Sequence, residues 1–266
     1  MPVKERIVII GAGNVATCLA TSLHAAGHCI EMVYSRTASN AEKLGKLLNS
    51  RYTDNEDEIR AAQGIQIAAI PDEALIQFSE KRLFGKGLLL HTAGSIPMNI
   101  LSGCSSEYGV LYPLQTFTAG RDLREHGVPF CIEACNAGSL ARIRDLASSV
   151  SDTVYELDSE SRMMLHLAAV FACNFTNHMY VLAGKIAERA GVPFEILHPL
   201  VMETAKKASE RSPVMSQTGP AARNDMIIIK KHMDLLSFSP ELMELYRLIS
   251  DSIIAARATD NGGLAD

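Results

Sequence analysis

The chain has 266 residues, 47% of them hydrophobic, and 25 Lys and Arg against 30 Asp and Glu give it a net charge of −5. That length provides one large or two modest domains with a real core, and the composition excludes a disordered chain. The mild acidity, with the pairs Lys206-Lys207 and Lys230-Lys231 isolated, excludes a nucleic-acid binder.

Residues 7–10 read as a buried strand, 14–26 as a helix closed by Gly27, and 30–34 as a second strand. Helix 39–49, strand 51–53 and helix 56–62 follow, then strands at 67–70, 88–91 and 110–112. Strands 129–134 and 154–157 flank a helix running from a Ser139 cap to Val150. Short β-branched runs alternating with helices indicate an α/β, Rossmann-type, doubly wound and mainly parallel sheet. After about Asp158 strands vanish, and helices are expected at 159–190, 194–211, 219–235 and 240–257. The organisation expected is an α/β domain over 1–157 and an all-α domain over 158–266. Met163 to Gly184 contains no Asp, Glu, Lys or Arg, but His166, Asn174, Asn177 and His178 lie within it. Hydrocarbon would leave those groups unsatisfied, so a buried helix is expected there and no membrane span. Six Cys without a CxxC pair, and a leading apolar run of four residues, too short for a signal peptide, point to a cytoplasmic chain with free thiols. No spacing of His and Cys resembles a metal site.

Behind the first strand stands Gly11-Ala12-Gly13-Asn14-Val15-Ala16, a G-x-G-x-x-A turn opening a helix. Gly11 permits the tight turn, Gly13 admits a pyrophosphate, and small Ala16 lets the helix pack on the strand, with the helix N-terminus favouring phosphate charge. The second strand ends Tyr34-Ser35-Arg36-Thr37 without an acid for ribose hydroxyls. A guanidinium with two hydroxyls suits a 2′-phosphate, so NADP is the expected cofactor.

Residues 7–37 resemble the N-terminal domains of pyrroline-5-carboxylate reductases and of NADP/deazaflavin oxidoreductases. The resemblance continues in Ala69-Ile70-Pro71-Asp72, His91-Thr92-Ala93-Gly94-Ser95 and Leu111-Tyr112-Pro113-Leu114-Gln115-Thr116-Phe117. His166–Asn174 and Thr218–Asp225 are similar to a group of NADP oxidoreductases that joins a Rossmann-like domain to a helical domain of uncharacterised function. Those resemblances imply a fold, a cofactor and a reaction type, and no substrate.

Ligands of open α/β sheets bind beyond the C-terminal strand ends. Ile70, Pro71, Thr92 and Ala93 are therefore expected at the cofactor, and Ser95 and Gln115 at the substrate, with Asp72 read as a helix cap. Turn and loop stabilisation are the alternatives for Thr92, Ser95 and Gln115. At about 100° per residue, Asn177 falls about 20° and Asn174 about 80° from His166, which places all three on one helix side. Imidazole is suited to donate a proton to a developing alkoxide or amine, and an amide to orient the reacting atom. His166 and Asn174 are the expected catalytic pair, Asn177 a substrate contact, and interhelical packing the alternative for all three. In related helical-domain reductases a Lys and an Asn four residues apart serve this chemistry, but position 170 here is Val. Thr218 is expected to cap a helix carrying Arg223, a candidate clamp for a substrate carboxylate, with His232 structural. The functional expectation is NADPH-dependent reduction of a small carbonyl or imine by a homodimer. A non-catalytic NADP-binding sensor and NADP–deazaflavin hydride exchange are the alternatives.

Overall fold

The computed structural model describes residues 4–117, 123 and 127–262; Met1–Val3, part of the stretch read for a leader, lie outside them. Eight strands form one sheet in the order β3-β2-β1-β4-β5-β6-β7-β8. These are β1 (Arg6–Ile10), β2 (Cys29–Tyr34), β3 (Arg51–Thr53), β4 (Gln63–Ala68), β5 (Lys86–His91), β6 (Glu107–Pro113), β7 (Phe130–Ala134) and β8 (Val154–Glu156). All neighbours pair in parallel except β6 and β7. Helices α1 (Asn14–Ala25), α2 (Ala38–Leu48), α3 (Glu56–Ala61), α4 (Asp72–Glu80) and α5 (Ala137–Ser148) provide the connections. Ile7, Ile9 and Ile10 are fully buried because two apolar clusters, one on each face of the sheet, enclose β1. The chain leaves β1 towards β2 and returns to pair β4 on its other side, so a crevice opens above the carboxyl ends of β1 and β4.

Two local expectations are corrected. The fourth strand starts at Gln63 and ends at Ala68, not at 67–70. Its polar start pairs Gly64 with Gly87 of β5 at positive φ, and buried Gln66 accepts from the Gly85 amide at 3.0 Å. The cap of α5 is Asn136, whose side chain accepts from the Ser139 amide at 2.8 Å.

The chain divides into compact units of residues 1–175 and 176–266. Composition shifts at 158, but α6 (Ser159–Ala169) and the π-helical turn Val170–Phe175 belong to the sheet unit. Arg162, 1% exposed, fastens α6 by pairing with Glu133 of β7 and donating to the Ile96 carbonyl at 2.7 Å. Ser159 accepts from the Met98 amide at 2.9 Å and bonds the same Glu133 carboxylate.

The second unit holds α7 (Thr176–Arg189), α8 (His198–Glu210), α9 (Pro213–Ser216), α10 (Met226–Leu235) and α11 (Pro240–Gly262). Within it the Arg189 guanidinium lies 4.1 Å from the Phe238 ring centre, and His232 bonds the Tyr246 hydroxyl at 2.9 Å. The expected Thr218 cap is corrected: α10 starts at Met226 with Asp225 accepting from the Ile228 amide, and 221–223 is a short 3-10 turn. Gly219 at φ 103° and Asn224 at φ 53° interrupt any earlier helix. Among the described residues no helix is long and apolar enough to cross a membrane, and none of the six Cys is in a disulfide.

Candidate active site

The turn between β1 and α1 builds one wall of a cleft. Gly11 sits at φ 120°, and a side chain there would overlap the Ala69 carbonyl oxygen. A Cβ on Gly13 would meet nothing within 4 Å. Gly13 also occupies the N-cap of α1 and brings no side chain to bond the first amides. The result is an open cradle in which the first amides of α1 have no side-chain partner among the described residues, a fit for the pyrophosphate of a dinucleotide. The Asn14 side chain donates to the Phe117 carbonyl at 3.0 Å, tying this turn to the loop after β6.

At the end of β2, Arg36 is exposed and makes no ion pair among the described residues. The Thr37 amide donates to the Ser35 hydroxyl at 3.3 Å, and Thr37 begins α2 without a side-chain cap bond. A free guanidinium beside two hydroxyls is a donor set that fits a 2′-phosphate.

The opposite wall comes from the ends of β5 and β6 and from α6. Gly94 is buried, and a Cβ on it would stand 2.7 Å from His166 Nδ1 and 2.9 Å from Tyr112 Cζ. That bare backbone lets the two rings meet: the Tyr112 hydroxyl lies 3.0 Å from His166 Nδ1, with the rings edge to face. Burial pushes the Tyr112 phenol up to about 12, so it keeps its proton through the neutral range. Below them His91 is fully buried. Burial, reinforced by the Arg162 charge, holds its pKa down to about 3. The neutral ring accepts from the Ala93 amide at 3.2 Å and so shapes the 92–95 loop.

The helix carrying His166 is not a uniform α-helix. Residues 170–175 form the wider i→i+5 turn, which slows the angular advance per residue. The 80° separation expected of Asn174 from a regular helix is thereby reduced, and Asn174 lines the cleft beside His166. Gly13, Asn14, Val15, Ile70, Pro71, Thr92, Ala93, Ser95, Gln115, His166 and Asn174 share one cleft of about 630 Å³.

Asp72 departs from its cap reading, while Gln115 and Arg223 take settings that the sequence left open. Asp72 is the first residue of α4, with Pro71 as cap, and its carboxylate accepts a short bond from Ser95. The Gln115 side-chain oxygen accepts from the Thr116 amide at 2.9 Å, which makes it a loop brace as well as a lining residue. Arg223 is exposed in the short turn before α10. Asn177, also exposed, and Arg223 both belong to the second unit. Sequence reasoning missed Tyr112 and Arg162. Tyr112 ends a buried strand and Arg162 opens a helix, positions that ordinarily read as core and surface. Among the described residues no group of His, Cys, Asp and Glu could hold a metal.

Residues 6–88 match the family described as NADP oxidoreductase, coenzyme F420-dependent. Residues 128–253 match a domain of unknown function, DUF2520. Among solved structures, a putative NADP oxidoreductase from Bacteroides fragilis is 42% identical, over 95% of this chain and 98% of that one, with a TM-score of 0.86. A reductive aminase from Aspergillus terreus, in complex with cyclohexanone and allyl amine, is 14% identical over 97% and 99%, with a TM-score of 0.72. The 1-pyrroline-5-carboxylate reductase of Streptococcus pyogenes is 15% identical over 95% and 99%, with a TM-score of 0.62. At those identities the last two share the fold. No curated protein sequence matches the chain.

Proposed function

The chain belongs to the NADP oxidoreductase family of the Bacteroides fragilis protein, and from that premise we propose that it reduces a small carbonyl or imine, with His166 as proton donor and Asn174 orienting the reacting atom. The observation that carries this reading is the Tyr112–His166 contact of 3.0 Å in the same cleft as the Gly13 cradle.

Bound NADPH supplies the hydride. The Gly11–Val15 turn and the first amides of α1 hold the pyrophosphate, and Ser35, Arg36 and Thr37 hold the 2′-phosphate. Ile70, Pro71, Thr92 and Ala93 flank the nicotinamide end. The Tyr112 hydroxyl donates to His166 Nδ1, so the ring gives its Nε2 proton to the developing alkoxide or amine as the Tyr112 proton passes to Nδ1, and solvent restores the phenol. The Ser95 hydroxyl donates to Asp72 and keeps its oxygen lone pairs for a substrate donor.

His166→Ala is expected to lower turnover by about 10²- to 10⁴-fold, the range of a positioned acid, with NADPH affinity unchanged. Wild-type turnover in that variant would move the donor role to Thr92, Ser95 or water. Arg36→Ala is expected to narrow the preference for NADPH over NADH by about 1–3 kcal/mol, the worth of a charge-assisted contact. Equal binding of both cofactors by the unmodified protein would overturn the role of Arg36.

We also propose a homodimer built on the helical unit. There α7 and α8 carry no buried residue, and Met202, Met215 and Ile227 are each at least 69% exposed. A second copy covers such faces economically. Light scattering should give the mass of two chains, and a monomer mass at all concentrations would refute this.

A further inference from the structure

Beside the cofactor cleft the sheet unit holds a second cavity of about 380 Å³. The two cavities share Tyr112, Gln115, Thr116, His166 and Asn174, so the second opens at the proposed proton donor. Its depth is apolar. Leu114 comes from the loop after β6, Leu165 and Ala169 from α6, and Val170, Ala172 and Cys173 from the π turn. Among its described lining residues there is no Asp, Glu, Lys or Arg. The described lining of the cofactor cleft adds the Asp72 carboxyl and no Lys or Arg.

We infer that this cavity receives the body of the substrate, and that the substrate is an uncharged ketone with an apolar ring or chain, or the imine formed from it, rather than a keto acid. The inference rests on the reductase reading above and goes beyond it in naming a substrate class. Three observations carry it. The volume lies in the range of small-molecule sites, and the polar groups stand at one end, as a ligand with a single reactive polar atom requires. A carboxylate set against Leu114, Leu165 and Val170 would exchange water for apolar surface and find no cation among the described lining residues. The wall is also built from small side chains where the helix widens: Ala169 and Ala172 leave room that a regular run of leucines would fill. The reaction balances without further reagents. With NADPH as hydride donor, the C=O or C=N π pair moves to oxygen or nitrogen and takes the Nε2 proton of His166, the Tyr112 proton replaces it through Nδ1, solvent restores the phenol, and NADP⁺ is the oxidised product.

The test uses a matched pair, phenylacetone and phenylpyruvate, which differ by a methyl group against a carboxylate on the same benzyl ketone. Each is offered with NADPH, with and without methylamine, and NADPH binding is measured in parallel by calorimetry. Phenylacetone, alone or with the amine, should show the higher kcat/KM by at least about ten-fold. Ala169→Phe, which fills the cavity, should raise the KM for phenylacetone by about ten-fold or more at unchanged NADPH affinity. A preference for phenylpyruvate that disappears in Arg223→Ala would overturn the inference and keep the reductase reading, because it would show a clamped acid. Equal use of both ketones, or an Ala169→Phe protein with wild-type KM, would likewise overturn the inference alone. Intact NADPH binding without oxidation in the presence of either ketone would overturn both readings.

Discussion

Gly13→Val is expected to abolish measurable NADPH binding while leaving the melting temperature of the apoprotein close to wild type. The two glycines of this turn are bare for different reasons. Gly13 sits at φ −80° and ψ −173°, a conformation valine adopts freely, and its Cβ direction is open. The added methyls therefore cost the protein little and occupy the space the pyrophosphate needs. Losing two charge-assisted bonds from the amides of α1, each about 1.5–3 kcal/mol, weakens binding by roughly 100-fold or more. Gly11→Ala should fail in the opposite way. Its positive φ alone costs on the order of 1–3 kcal/mol for a residue with a Cβ, and the overlap with the Ala69 carbonyl comes on top. Calorimetry and thermal melts on the two variants separate these outcomes. A folded Gly13→Val protein with wild-type NADPH affinity would show that the phosphates lie elsewhere.

The second large effect concerns Arg162. Its guanidinium is 1% exposed and paired with Glu133, and it also bonds Ile96 and Ser159. Arg162→Met leaves the Glu133 carboxylate without its cation, and breaking a buried pair from one side costs about 3–5 kcal/mol. The double replacement Arg162→Met with Glu133→Leu should recover most of that loss, because no charge is then stranded. Urea denaturation of the single and double variants measures this. Equal losses in both would show that the pair contributes packing alone. Turnover in the double variant should still fall, since α6 loses the bond to Ile96 that sets His166 against Gly94. The same cation bears on acid stability. His91 is held at about 3, below its usual value near 6.5, so between those limits the unfolded chain binds the extra proton. Stability therefore declines as pH falls through that window, by at most about 1.4 kcal/mol per unit from this group.

The sheet unit was legible because its signals are local. A β-branched run, a Gly turn and a helix follow one another within residues 7–26, and each obeys a rule of a few residues' range. The start of β4 was hidden by Gln63, Gly64 and Gln66, whose burial depends on partners in β5 and the Gly85 amide. The lining of the candidate cleft was legible in its loops and in His166 and Asn174, where polar groups interrupt an uncharged stretch. Tyr112 and Arg162 were not, because their partners stand 54 and 29 residues away and nothing periodic marks them. The reading of Arg223 depended on a helix start at Thr218 that Gly219 and Asn224 deny.

The π turn at 170–175 also makes the site sensitive to chain length as well as to chemistry. An α turn fixes direction by residue identity on a wheel, whereas a turn that holds a surplus residue stores direction in a count. Substituting Val170 or Cys173 alters the wall but keeps Asn174 beside His166. A deletion that relaxes the turn to α geometry would leave Asn174 about 20° from His166, but one further inserted residue taken up as α would carry it about 100° around the axis. The helix would survive and the amide would leave the cleft. Natural variation at this place should therefore run through replacements, with single-residue insertions selected against even where every other side chain is unchanged.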